Sequence, residues 1–140
     1  MRATLLAMVA MAGLSSAAYA ATEHYAAKMS TADEVPPKPT GGSGTVDATL
    51  DTATHILTYT VTYQGLSGPA TMGHFHGPAS LGTNAGVEIP YSGSLASPIK
   101  GTATLTPALE KQLADGLLYF NVHTDANKAG EIRGQVLAAK

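Results

Sequence analysis

The sequence predicts an all-β protein: an antiparallel Greek-key sandwich or flattened barrel of about seven to eight strands with one short helix. Short runs rich in Thr, Val, Ile and Tyr alternate apolar with polar residues, and turn signals built on Gly, Pro, Asn and Asp recur roughly every ten residues. Only one stretch, Thr106 to Gly116, carries the start and stop signals of a helix.

Residues 1–20 are expected to be a signal peptide and residues 21–140 a single β domain. Arg2 gives a positive start, Leu5 to Leu14 is an apolar or small run of secretory length, and Ala18-Tyr19-Ala20 fits the small-x-small cleavage rule. That run is too short to span a bilayer, and no other segment approaches about 18 apolar residues, so no membrane span is expected. Export places the product in the periplasm or outside the cell. The lack of cysteine there removes disulfides, thiolate ligands and a thiol nucleophile at once. After Ala20, six Lys and one Arg stand against ten acidic residues, which leaves no basic surface for nucleic acid.

His24 to Met29 is a strand candidate that runs into Asp33-Glu34-Val35-Pro36-Pro37-Lys38-Pro39, where three prolines exclude a helix. Gly41-Gly42-Ser43-Gly44 then precedes two runs, Thr45 to Leu50 and His55 to Tyr63, joined as a hairpin by Asp51-Thr52-Ala53-Thr54. In the second run Leu57, Tyr59, Val61 and Tyr63 form the expected core face, and His55 falls on that same apolar side. Gly65-Leu66-Ser67-Gly68-Pro69 is a turn. A strand through Met72 to His76 follows and stops at Gly77-Pro78, and the small-residue loop Ala79 to Gly86 suits a flexible rim. Val87 to Tyr91 and Ile99 to Leu105 are further strand candidates. The helix has Thr106 as N-cap, Pro107 at its first position, Leu109 and Leu113 on one face and Gly116 past its end. Leu117 to Thr124, the loop Asp125 to Gly130, and Glu131 to Leu137 complete the chain.

The histidines concentrate the chemistry. On a strand, Met72, His74 and His76 point to one face and Phe75 to the other, so two imidazoles and a thioether stand side by side. His123, near the end of another strand, supplies a third imidazole. Three such nitrogens converge on a metal without strain, and without thiolates they suit copper or zinc. Met72 as a weak fourth ligand favours copper(I), whereas zinc would recruit a carboxylate such as Asp125 or Glu131. The plain alternative is that the histidines bond backbone at strand ends and Met72 packs in the core. Tyr119 and Asn121 share the face of His123 and are candidates to orient its ring. Arg133, the one arginine after Ala20, is expected to pair with Glu34 or Glu131. No nucleophile elbow, phosphate-cradling glycine loop or paired-carboxylate pattern is present.

Four motifs in order carry a family resemblance: Glu34-Val35-Pro36-Pro37; Tyr63-Gln64-Gly65-Leu66-Ser67-Gly68-Pro69 leading to His74-Phe75-His76-Gly77-Pro78-Ala79; Asn121-Val122-His123-Thr124; and Gly130-Glu131-Ile132-Arg133-Gly134-Gln135. Over about residues 24 to 138 the chain resembles the CHRD domain, named from chordin, which implies a secreted all-β domain and little about activity. The His-x-His strand is also similar to the ligand strand of copper/zinc superoxide dismutases, by motif alone. The expected function is periplasmic or secreted metal binding, copper first, in buffering, delivery or sensing, with the metal ion as partner. A copper oxidoreductase and a metal-free structural or adhesion module are the alternatives. Mass spectrometry of the exported product is expected to show Ala21 at the N-terminus, and retention of the apolar run would refute the leader.

Overall fold

The computed structural model describes residues 20–140, so the expected signal peptide lies, but for its last residue, outside them. The strands are β1 (Thr22–Ser30), β2 (Ser43–Asp51), β3 (Ile56–Gln64), β4 (Ala70–His76), β5 (Val87–Ile89), β6 (Ile99–Thr104), β7 (Leu118–Thr124) and β8 (Ile132–Ala138), with helix α1 (Pro107–Ala114) between β6 and β7. All strand neighbours are antiparallel in one sheet of order β5-β4-β7-β8-β1-β2-β3-β6.

This sheet curls into a nearly closed barrel. Four strands separate β3 from β4 in the sheet order, yet Tyr59 of β3 meets Phe75 of β4 edge to face with ring centroids 4.9 Å apart. Phe120 of β7 joins them, 4.9 Å from Phe75 and 6.2 Å from Tyr59. Alternation sends Val46, Ala48 and Leu50, then Leu57, Tyr59 and Val61, into this interior, where each is buried. The outward threonines of β2 and β3 meet solvent or one another, as in the 2.7 Å contact of Thr45 Oγ1 with Thr62 Oγ1.

α1 forms where its caps predict and is eight residues long. Thr106 Oγ1 accepts from the Leu109 N–H, Leu113 is buried, and Gly116 takes a φ of +68°, the left-handed conformation that ends helices on glycine. His55 departs from its expected place on the apolar face of β3. Asp51 pairs with Ile56, so residues 52–55 form the hairpin loop, and His55 closes it at φ +60°. Its ring turns outward, with Nδ1 2.6 Å from Glu110 Oε1 on α1.

Strand β7 is buried at all seven positions. Leu118, Phe120 and Val122 face the barrel interior, while Tyr119, Asn121 and His123 face outward under a cover of loops. Neighbouring β8 repeats the pattern, with Ile132 and Val136 inward and Arg133 outward yet buried. An irregularity between Ala70 and Met72 shifts the register of β4 on β7, so that Ala70 pairs with Thr124 but Met72 pairs with His123. One extra residue, Thr71, thus lies on β4.

Glu131, wholly buried, locks the turn before β4 to the β7–β8 connection. Its carboxylate accepts from the Ser67 N–H (2.7 Å), Ser67 Oγ (2.6 Å), Thr124 Oγ1 (2.5 Å) and Asn127 Nδ2 (3.1 Å). Burial raises its pKa, but these donors outweigh burial and hold it at about 2, against an ordinary 4.5. A depressed folded-state pKa gives stability that is present above pH ~4.5 and is lost as pH falls toward 2. Glu131→Gln is expected to cost about 1–3 kcal/mol at pH 7, since one donor then faces an amide N–H. In urea unfolding it should also flatten the decline of stability between pH 5 and pH 3.

Candidate metal centre

The centre is built on the outward face of β4 and β7. Their pairing sets His74 opposite Asn121, His76 opposite Tyr119 and Met72 opposite His123, so all six side chains rise from the same side of the sheet. The ring centroids of His74 lie 4.8 Å from His123 and 5.1 Å from His76. One nitrogen from each of the three histidines lies within 4.8 Å of the others. Met72 shares their face but is 45 % exposed, against 8 % for His76 and 5 % for His123.

Backbone carbonyls fix two of the rings. His76 Nδ1 donates to Ala85 O (2.9 Å) and His123 Nδ1 donates to Lys128 O (2.8 Å), because a carbonyl can only accept. In the neutral rings both Nε2 atoms therefore carry lone pairs. His76 Nε2 faces His74 Nδ1 at 3.1 Å, where a His74 proton fills the gap in the absence of an ion. His123 Nε2 faces Asn121 Oδ1 at 2.9 Å, two acceptors opposed unless a proton, a cation or a turn of the amide intervenes. Burial disfavours the proton there and lowers the His123 pKa, helped by nearby His76 and opposed by the Lys128 bond. His74 is pushed down to about 4, by burial first and then by His123 and His76. At neutral pH these two rings are therefore uncharged and able to act as ligands.

Among the described residues no carboxylate joins the cluster. Glu131, an expected zinc ligand, is committed to Ser67, Thr124 and Asn127, and Asp125 is exposed outside the cluster. Arg133 departs from its expected ion pair. Its Nη1 donates to Asn84 Oδ1 and its Nη2 to Thr83 O, both at 2.9 Å, and its Cζ stacks 4.1 Å from the Tyr119 ring centre. Glu34 is buried in the β1–β2 loop, and burial raises its pKa against the lowering effects of Arg133, Asn121, Lys38 and the Val35 N–H. Gly130, at φ +124°, leaves room for that carboxylate, since a Cβ there would strike Glu34 Oε1.

The loop expected as a flexible rim is tied down along its length. Gln135 donates to Ala79 O (2.7 Å), Arg133 holds Thr83 and Asn84, Asn84 donates to Val35 O (3.0 Å), and Tyr119 Oη donates to Ala85 O (3.3 Å). Tyr119 also stacks on His76, with centroids 4.9 Å apart and planes 2° from parallel. Its expected role beside the site is therefore a face contact with His76, while Asn121 reaches His123 directly. The loop carbonyls that orient the rings left no trace in residue type, because every residue has one.

Fold and site together define an antiparallel, barrel-like β domain with a histidine cluster buried against its outer wall. The CHRD domain family model matches residues 25–136, and the chain belongs to that family. Searches of curated proteins and of solved structures find no match.

Arg133→Lys keeps the charge but loses the planar fork that holds two loop acceptors at once, with an expected cost of about 2–4 kcal/mol. Hydrogen exchange should then rise at residues 79–86 well before the barrel strands. A uniform rise would show that Arg133 does not anchor the loop.

Proposed function

We propose that this protein binds one copper ion outside the cytoplasm through His74, His76 and His123, with Met72 as a weak fourth ligand to copper(I), and acts in copper buffering, delivery or sensing. The observation that carries this reading is the convergence of three imidazole nitrogens within 4.8 Å, two of the rings held through Nδ1 by backbone carbonyls, which leaves Nε2 as the ligand atom of each. Metal-ligating histidines are oriented by such bonds from the other ring nitrogen. Imidazole nitrogens on one ion stand about 3–4 Å apart, so ring rotations of under about an ångström close the set.

Copper is favoured over zinc by what surrounds the cluster. Zinc sites with three or four protein ligands commonly include a thiolate or carboxylate; the chain has no cysteine, and no carboxylate among the described residues joins the three rings. The one soft donor in register with the cluster is Met72, opposite His123. Export from the cytoplasm rests on the leader-like residues 1–20.

Metal analysis of the purified protein and competition titrations with copper(I) and copper(II) test the reading. His123→Ala is expected to weaken copper affinity at least ten- to hundredfold, because the ligand from the second strand closes the coordination sphere. Met72→Ala should spare copper(II) and weaken copper(I). His74→Ala, on the more open side of the cluster, repeats the test should His123→Ala fail to fold. Folded variants that bind both ions like the parent would refute the site.

A further inference from the structure

We infer that the fourth coordination position of this site is open to solvent in the copper(II) state and takes a small monoanion. This rests on the copper reading above and adds the ligand class. Three protein donors with an unfilled position are the arrangement of exchange sites rather than of closed structural ones. The enclosure here is one-sided. The Ala85 carbonyl blocks the His76 edge and the Lys128 carbonyl blocks the His123 edge, while His74 is part-exposed and Met72 is 45 % exposed. The opening is therefore at the Met72 end of β4.

Charge selects what enters. Three neutral imidazoles leave both positive charges of copper(II) uncompensated, and no carboxylate among the described residues joins them. Arg133 adds a further cation behind the site, and the nearest opposing carboxyl, Glu34, is buried in the β1–β2 loop, feels the Arg133 charge without hydrogen-bonding to it, and has its pKa raised by burial. Arg133 is buried, forms no ion pair among the described residues, and spends its hydrogen bonds on an uncharged amide and a carbonyl. Its guanidinium and the His76 ring both lie against the Tyr119 ring, at 4.1 Å and 4.9 Å from its centre. The guanidinium thus shares an aromatic neighbour with a ligand. Positive charge partly removed from water favours an anion over a neutral fourth ligand. The thioether of Met72, a soft donor, competes for the position only in the copper(I) state.

The test is an azide titration of the copper(II)-loaded protein at constant ionic strength, followed by absorption, electron paramagnetic resonance and dialysis for retained copper. The expected result is a saturable new charge-transfer band and altered copper hyperfine signals with copper still bound, the same in Met72→Ala as in the parent. Bound copper whose spectra ignore azide would overturn the open position, and so would azide that only strips copper away. Azide binding confined to Met72→Ala would show that Met72 fills the position, which overturns this inference and leaves the copper site standing. A protein that takes up no copper fails at the earlier step and removes both.

Discussion

The two-sided burial of β7 is the constraint on which the rest depends. Its inward residues Leu118, Phe120 and Val122 join Phe75 and Tyr59 in the aromatic centre that lets one sheet close on itself. Its outward residues are polar, and polar groups taken out of water must find partners. Tyr119, Asn121 and His123 therefore require something above them, and the β4–β5 loop, the β1–β2 loop and the β7–β8 connection supply it. The structure thus has two layers, an oily one inside the barrel and a hydrogen-bonded one on its wall. Burial in the first gives most of the stability; directionality in the second gives the position of the imidazoles.

The polar layer matches donors more fully than acceptors. Gln135 Nε2 reaches two carbonyls, while its Oε1, like Glu34 Oε1, is buried without a partner. Carbonyls predominate because the covering loops present backbone oxygens downward. That supply suits Arg133 and the Nδ1–H groups of His76 and His123 and leaves buried carboxylates short, which fits the raised pKa of Glu34. Glu131 escapes this because the Ser67 turn brings it a backbone N–H and a hydroxyl.

Alternation made most strands legible in the sequence, since Leu57, Tyr59 and Val61 could share a face only in extended backbone. The cap residues Thr106 and Pro107 placed the helix for the same local reason. The histidine cluster was half legible: the H-x-H spacing fixed the relation of His74 to His76, whereas the approach of His123 depends on a register that no local pattern encodes. Arg133 was misread because a charged side chain suggests a charged partner, yet a planar guanidinium is equally satisfied by a carbonyl and an amide oxygen. The β2–β3 loop has the expected four residues but starts one later, at Thr52 instead of Asp51, which takes His55 from strand to loop. The tethering of the Ala79–Gly86 loop was invisible, because its small side chains contribute little and its backbone does the bonding.

The extra residue at Thr71 sets which side of the barrel wall the imidazoles occupy. Ala70, before it, packs toward the interior, and Met72, after it, points outward, although the two differ by an even number and would otherwise share a face. Were the ladder continuous from the Ala70–Thr124 pair, His74 would stand opposite Phe120 and both histidines of β4 would enter the oily interior. The face is therefore set by a count of residues rather than by their identities. Exchanging the side chain at this exposed position is a mild change, whereas shortening the strand by one residue inverts it, so in this segment length is held far more tightly than composition.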